Sequence, residues 1–329
     1  MKKKFKFTYN YALIAICLVL FILFWSLNHN FLNMHSLTLT TEIAIMALPM
    51  TMLVIMGCID FSLCAMATLS AAVGGIVFAV TKSALLGVLV SLLIGAICGG
   101  FNGFMVAKLK LPPLITTLAS MYLYKGIAKA STLASGWGTN VSATPVATFL
   151  GATKFLGIPM QLWVLAVIAL VIHIILSRTV YGRTLYAIGL NENATLFAGI
   201  DVTKLKFLTY VLAGVIFSIA GQVLMGRFST VQYDSADSYQ MQVIIVCVLG
   251  GANMNGGRGN VGGTLLGALV LTMLISGMNG VALPQTQQKI VLGVVLLASL
   301  ISFELLAEHD LKVKGEARMK AAAEALKKA

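Results

Sequence analysis

Long, almost uncharged apolar runs recur from one end of this chain to the other, and they constrain its fold more than any other feature. About 20 consecutive apolar residues in an α-helix cross the hydrocarbon core of a bilayer. Ten such segments can be drawn, at roughly 11–27, 39–57, 61–80, 84–107, 113–134, 160–177, 204–226, 241–252, 261–279 and 286–307. The eighth is too short to span alone and reads as a broken or re-entrant helix, so the count ranges from eight to eleven. Of 329 residues, 59% are hydrophobic and 10% charged, where a soluble domain would carry about 25% charged residues. The expected fold class is all-α: a polytopic helical membrane protein with about ten transmembrane segments. Its transmembrane domain covers 11–307, between a basic N-terminus (1–10) and a basic tail (308–329). No low-complexity stretch, soluble domain or clear internal repeat interrupts it.

Charge orients these segments. With the N-terminus in the cytoplasm and sides alternating, seventeen of the 23 Lys and Arg fall inside. These are the four lysines of the first ten residues, Lys108, Lys110, Arg178, Arg183, Lys204, Lys206, Arg258 and the six of the tail. Lys82, Lys125, Lys129, Lys154, Arg227 and Lys289 remain outside. That is the asymmetry of the positive-inside rule, and it puts both termini in the cytoplasm. The formal charge of +12 therefore reads as topology rather than nucleic-acid binding. Lys2, Lys3, Lys4 and Lys6 before the first apolar run resemble the start of a signal peptide. The run is long for a cleaved signal and no small-x-small site precedes His29, so it reads as a retained first helix.

Several chemistries find no support. Cys17, Cys58, Cys64, Cys98 and Cys247 lie in apolar segments without metal-ligand spacing, where free cysteine behaves as a small hydrophobe. His29, His35, His173 and His309 are scattered, so no metal site is expected. The glycines of 250–263 lack the Gly-Lys-Ser/Thr ending of a phosphate loop. No nucleophile–base constellation or cofactor motif is present, so no enzyme is expected.

Two polar intervals stand out. Residues 135–159, with Gly136-Trp137-Gly138 and Pro145, form the longest external loop, and 178–203 form the longest internal one. In the second, Asn191 is a fair helix cap, Glu192 suits the positive end of a helix, and Gly199 is placed to end it. These residues describe a two-turn helix lying across the cytoplasmic mouth, or else an ordinary connecting loop.

This stretch carries a resemblance. Gly182-Arg183, Tyr186, Ala187-Ile188-Gly189, Asn191-Glu192, Ala194, Gly199-Ile200, Val202, Tyr210, Gly214 and Ala220-Gly221 resemble the cytoplasmic loop and following helix of ABC sugar-importer permeases. The branch is the one serving ribose, xylose, arabinose, galactose, rhamnose and autoinducer-2. Gly57-Cys58-Ile59-Asp60-Phe61-Ser62 resembles its Gly-Gly-Ile-Asp-Leu-Ser, and Phe101-Asn102-Gly103 its Asn-Gly step. Leu111-Pro112-Pro113 with Thr117-Leu118 and Lys125-Gly126, then Leu249-Gly250-Gly251-Ala252-Asn253 through Gly263-Thr264, follow in family order. The resemblance covers residues 40–307. Many members carry Glu and Asp before the late glycines, where this chain has Gln240 and Gln242. That departure leans toward the autoinducer-2 or deoxysugar side.

The resemblance implies the ABC importer permease fold in the bacterial cytoplasmic (inner) membrane, a non-catalytic subunit without cofactor. Two copies, or this chain and a related permease, would enclose a translocation pathway. A separate ABC ATPase would bind below, and an extracytoplasmic sugar-binding protein above. Arg183, Asn191, Glu192, Ala194, Gly199 and Ile200 would form the ATPase-coupling segment. Asp60, Ser62, Asn102, Gln240, Gln242 and Asn253 are candidates for the pathway or its gate.

Asp60 takes three readings: cap of a helix starting near Phe61, a charge in the gate, or a sugar ligand. A carboxylate between apolar runs is a functional candidate by default. The buried-looking amides, Gln222 among them, could bind sugar hydroxyls or cross-link helices. A secondary transporter of a small polar solute is the alternative; it would need ion-coupling charges within the membrane, and Asp60 is nearly alone.

Overall fold

The computed structural model describes residues 2–29, 31–38, 40–136, 140–299 and 301. The basic tail, and Trp137 and Gly138 of the 135–159 interval, lie outside them. Two units are described separately, 1–283 and 284–329; in the second, a helix spans 285–299.

The end of the last expected apolar segment, 302–307, lies outside the described residues; within them each expected segment falls on a helix. In chain order these are α1 (Lys2–Leu27), α2 (Met34–Thr38), α3 (Thr41–Ile55), α4 (Leu63–Thr81), α5 (Ala84–Gly103), α6 (Pro113–Ala134), α7 (Pro145–Ala152), α8 (Met160–Arg178), α9 (Val180–Leu190), α10 (Glu192–Phe197), α11 (Val202–Phe228), α12 (Tyr239–Leu249) and α13 (Val261–Gly280); the helix at 285–299 is α14. Among the described residues, six segments are long and apolar enough to cross a membrane: Met34–Ile55, Leu63–Thr81, Ala84–Lys108, Met160–Arg178, Val202–Phe228 and Val261–Gly280. The apolar stretches of α1 (Leu13–Leu27) and α12 are shorter. Helix α6 is long enough, with 22 residues, but its Lys125, Lys129 and run of Ser and Thr lower its hydropathy.

The two helices at the centre follow from their sequences. All residues of α3 are buried, as expected of a helix apolar all round. Helix α11 packs against α3, α4, α5 and α7. Helix α5 buries Gly87, Ser91, Gly95, Cys98, Gly99 and Asn102, and leaves Leu85, Leu89, Leu93 and Ile97 exposed. Small residues at three- and four-residue spacing let two backbones approach, which is how helices associate where lipid is as apolar as leucine. The amide of Gln222 on α11 donates to Ser91 Oγ on α5 at 2.9 Å, so here an amide does cross-link helices.

The polar intervals are more ordered than loops. Within 135–159, Thr144 caps α7 by accepting from the Ala147 N–H at 3.0 Å, and Pro145 occupies the first turn, where its missing N–H costs nothing. Strands β1 (Val141–Ser142) and β4 (Thr230–Val231) pair antiparallel, as do β2 (Lys154–Phe155) and β3 (Ile158–Pro159). Val141, Ala147, Val231 and Met225 then close one buried cluster with Ala71 and Ala72 of α4. The 178–203 interval is likewise not a loop but two helices, α9 and α10.

Candidate functional site

Between α3 and α4 the chain breaks at residues 56–62, where the sequence places Gly57 and Asp60. Helix α4 starts at Leu63 with Ser62 as its N-cap residue, and no side chain caps it. The expectation that Asp60 caps a helix starting near Phe61 is therefore corrected. Asp60 lies one residue too early, and its carboxylate folds over the turn. Its Oδ1 accepts from the Ser62 N–H and the Ser62 hydroxyl, each at 2.7 Å. Its Oδ2 accepts from the Asn102 amide at 3.4 Å. Asn102 also donates to Ser62 Oγ at 2.8 Å. The Tyr124 hydroxyl lies 2.9 Å from both Asn102 Oδ1 and the Cys98 carbonyl and donates to one at a time. From α6, Thr117 Oγ1 accepts from the Phe61 N–H at 3.1 Å.

The structure thus gathers Asp60, Ser62 and Asn102 into one fully buried network. Buried polar groups need partners, and here α5 and α6 supply them to the break. Gln240 and Gln242 stand apart at the start of α12, and Asn253 lies beyond its end; all three are half-buried.

The break leads directly to the second candidate site. The end of α3, just before the break, meets α9 and the late glycine-rich stretch: the Gly257 N–H donates to the Ile55 carbonyl at 2.8 Å. Gly189 sits in the same junction, where a Cβ would overlap the Ile55 carbonyl oxygen and the Gly257 amide. Tyr186 donates its hydroxyl to the Gly259 carbonyl at 2.8 Å, and burial raises its phenol above the usual value, which keeps the donor protonated.

Helix α10 follows. Asn191 caps it, its Oδ1 accepting from the Ala194 N–H at 2.9 Å. Gly199 ends it at φ +81°, a left-handed conformation that glycine adopts without penalty. Both features match the sequence reading. Arg183, Ala194 and Gly199 are exposed and Ile200 is half-buried. Glu192 is exposed in the first turn of α10, and its Oε2 lies 2.7 Å from Lys206 Nζ on α11, with side-chain exposures of 54% and 11%.

Two features escaped the sequence reading. Phe197 on α10 is 89% exposed; the signal was an aromatic residue in a helix too polar and short to sit in lipid. The other is a buried ion pair. Glu42 on α3 is 0% exposed, and its Oε1 lies 2.7 Å from Arg227 Nε on α11. The N–H is not aimed along that contact, so charge rather than an aligned hydrogen bond makes it. Arg227 also donates through Nη2 to the Tyr239 hydroxyl on α12 at 2.5 Å. Asp60 is therefore not nearly alone as a carboxylate among the apolar helices. Among the described residues, no group of three or more His, Cys, Asp or Glu could hold a metal ion.

Six segments long and apolar enough to cross a membrane, a buried polar joint between α3 and α4 and a short capped helix between spans are features of a multi-pass membrane permease. Residues 33–300 match the model of the branched-chain amino acid transport system / permease component family, and the chain belongs to that family. It is 34% identical over 297 residues to the ribose import permease protein of Escherichia coli (strain K12), covering 88% of this chain and 92% of that protein. It is 32% identical over 296 residues to the L-arabinose transport system permease protein of the same organism, covering 89% of each. To the autoinducer 2 import system permease protein of Photorhabdus laumondii it is 29% identical over 311 residues, covering 92% and 93%. No solved structure matches the chain.

Proposed function

We propose that this chain is the membrane-spanning subunit of an ATP-driven, binding-protein-dependent importer of a small sugar in the bacterial inner membrane. About ten segments would lie in the membrane, α12 being too short to cross it alone, and both termini would be cytoplasmic. Two permeases would enclose the pathway, a sugar-binding protein would dock outside, and a separate ABC ATPase would bind the cytoplasmic face. This subunit does no covalent chemistry itself. The named substrates of the similar permeases, ribose, L-arabinose and autoinducer 2, support a pentose or autoinducer-2 type of cargo, and Gln240 with Gln242 leaves a deoxysugar as the further candidate.

One observation supports the coupling part: α9, which leads into α10, packs its backbone against the end of α3 just before the Asp60 break. Helix α10 presents Phe197 outward and is tied to α11 by Glu192–Lys206. Gly189, near the end of the preceding α9, abuts Ile55, five residues before Asp60. Force applied at Phe197 reaches the break through backbone contacts that hardly compress. In membranes holding permease and ATPase, Phe197→Asp should abolish ATPase co-purification and sugar uptake at unchanged permease level. Full retention of both would move the coupling surface elsewhere.

A further inference from the structure

The Lys108 end of the span Ala84–Lys108 lies beside the Val202 end of the span Val202–Phe228. Between them lies an open groove of about 310 Å³. Lys108 and Phe104 line it from one span; Asp201, Thr203, Lys204 and Phe207 line it from the other. The last turn of the first span is a π-helix, Phe104–Lys108, an irregularity frequent at functional sites. The Lys108 ammonium lies 5.5 Å from the centre of the Phe104 ring.

The charges in the groove do not cancel. Asp201 Oδ1 is engaged as the cap of α11, accepting from the Lys204 N–H at 2.9 Å. Among the described residues, the ion pairs are Lys125–Asp237, Lys206–Glu192 and Arg227–Glu42, so neither groove lysine belongs to one. Two ammonium groups against one carboxylate leave an excess of one positive charge. Toward the membrane interior, Phe101, Phe104, Phe207 and Leu208 are exposed on the two spans.

We propose that this groove holds the phosphodiester headgroup of an anionic phospholipid, with its acyl chains against the exposed aromatic rings. One phosphodiester carries the single negative charge the groove lacks, and the Thr203 hydroxyl offers a hydrogen bond. A zwitterionic lipid would bring its own ammonium toward two lysines. Free phosphate would leave the apolar walls without a role. Basic pockets between spans recognise lipid headgroups by the same chemistry. Placement in the cytoplasmic leaflet rests on the proposed topology; binding itself does not.

The test is native mass spectrometry of the full chain, purified in mild detergent with whatever subunits accompany it and titrated with phosphatidylglycerol or phosphatidylcholine. Wild type should retain phosphatidylglycerol at least about fivefold better than phosphatidylcholine. Lys108→Ala with Lys204→Ala should erase that preference, and Lys82→Ala, at the opposite ends of the spans, should keep it. Asp201→Asn preserves the cap, since Asn caps as well as Asp, and should strengthen retention about two- to threefold, a gain that misfolding cannot imitate. Equal retention in wild type and the double lysine variant would overturn the site. Displacement of phosphatidylglycerol by 10 mM inorganic phosphate at constant ionic strength would assign the groove to free phosphate and overturn the lipid reading.

Discussion

Asp60 and Glu42 are both fully buried carboxylates, yet different partners hold them, and their substitutions should differ accordingly. Asp60 is held by neutral donors from Ser62 and Asn102. Asp60→Ala strands those donors, which costs about 1–3 kcal/mol for a buried unsatisfied group. Asp60→Asn keeps an acceptor for Ser62 and should lie closer to wild type in thermal unfolding in detergent. Uptake separates the remaining readings: loss in Asp60→Asn at normal stability would assign the charge a role in transport, and retained uptake would leave Asp60 a joint. Glu42 faces a guanidinium instead. Glu42→Ala leaves a partly buried guanidinium held only by the Tyr239 hydroxyl and should cost up to about 3–5 kcal/mol, whereas Glu42→Leu with Arg227→Met should recover most of it. Thermal unfolding of the two variants side by side checks this, and a double variant no more stable than the single one would refute it.

Among the helices, α10 and α5 show how local chemistry and packing divide the work. The Asn191 cap and the Gly199 stop are local events, written in adjacent residues, and both were legible. The junction behind α10 was not, because it forms only when α9, the 55–57 turn and the late glycines come together. Gly189 is the point of contact, so Gly189→Ala forces a methyl group against two backbones. We expect Gly189→Ala to keep ATPase co-purification, since Phe197 is untouched, but to lose most of its uptake. Loss of co-purification together with uptake would mean that Gly189 merely supports the fold of α10. The stripe of small residues on α5 was present in the sequence, but its partner α11 was not identifiable from it.

For the whole molecule, the strongest statement from sequence concerns sidedness. Basic residues crowd both ends and the α9–α10 interval, so single cysteines placed by Lys3→Cys and Lys328→Cys in a cysteine-free background should resist membrane-impermeant reagent in intact cells. Labelling of either end from outside would overturn the topology. The sequence by itself determined the class of fold, because hydrocarbon admits only segments that satisfy their own backbone and carry almost no charge. It also determined the helix caps, because capping acts across three or four residues. Tertiary structure alone decided which buried charges meet. Glu42 and Arg227 belong to different helices, and so do Asp60 and Asn102. Their pairing follows from which helix faces pack together, and no periodicity along one helix encodes the face of another.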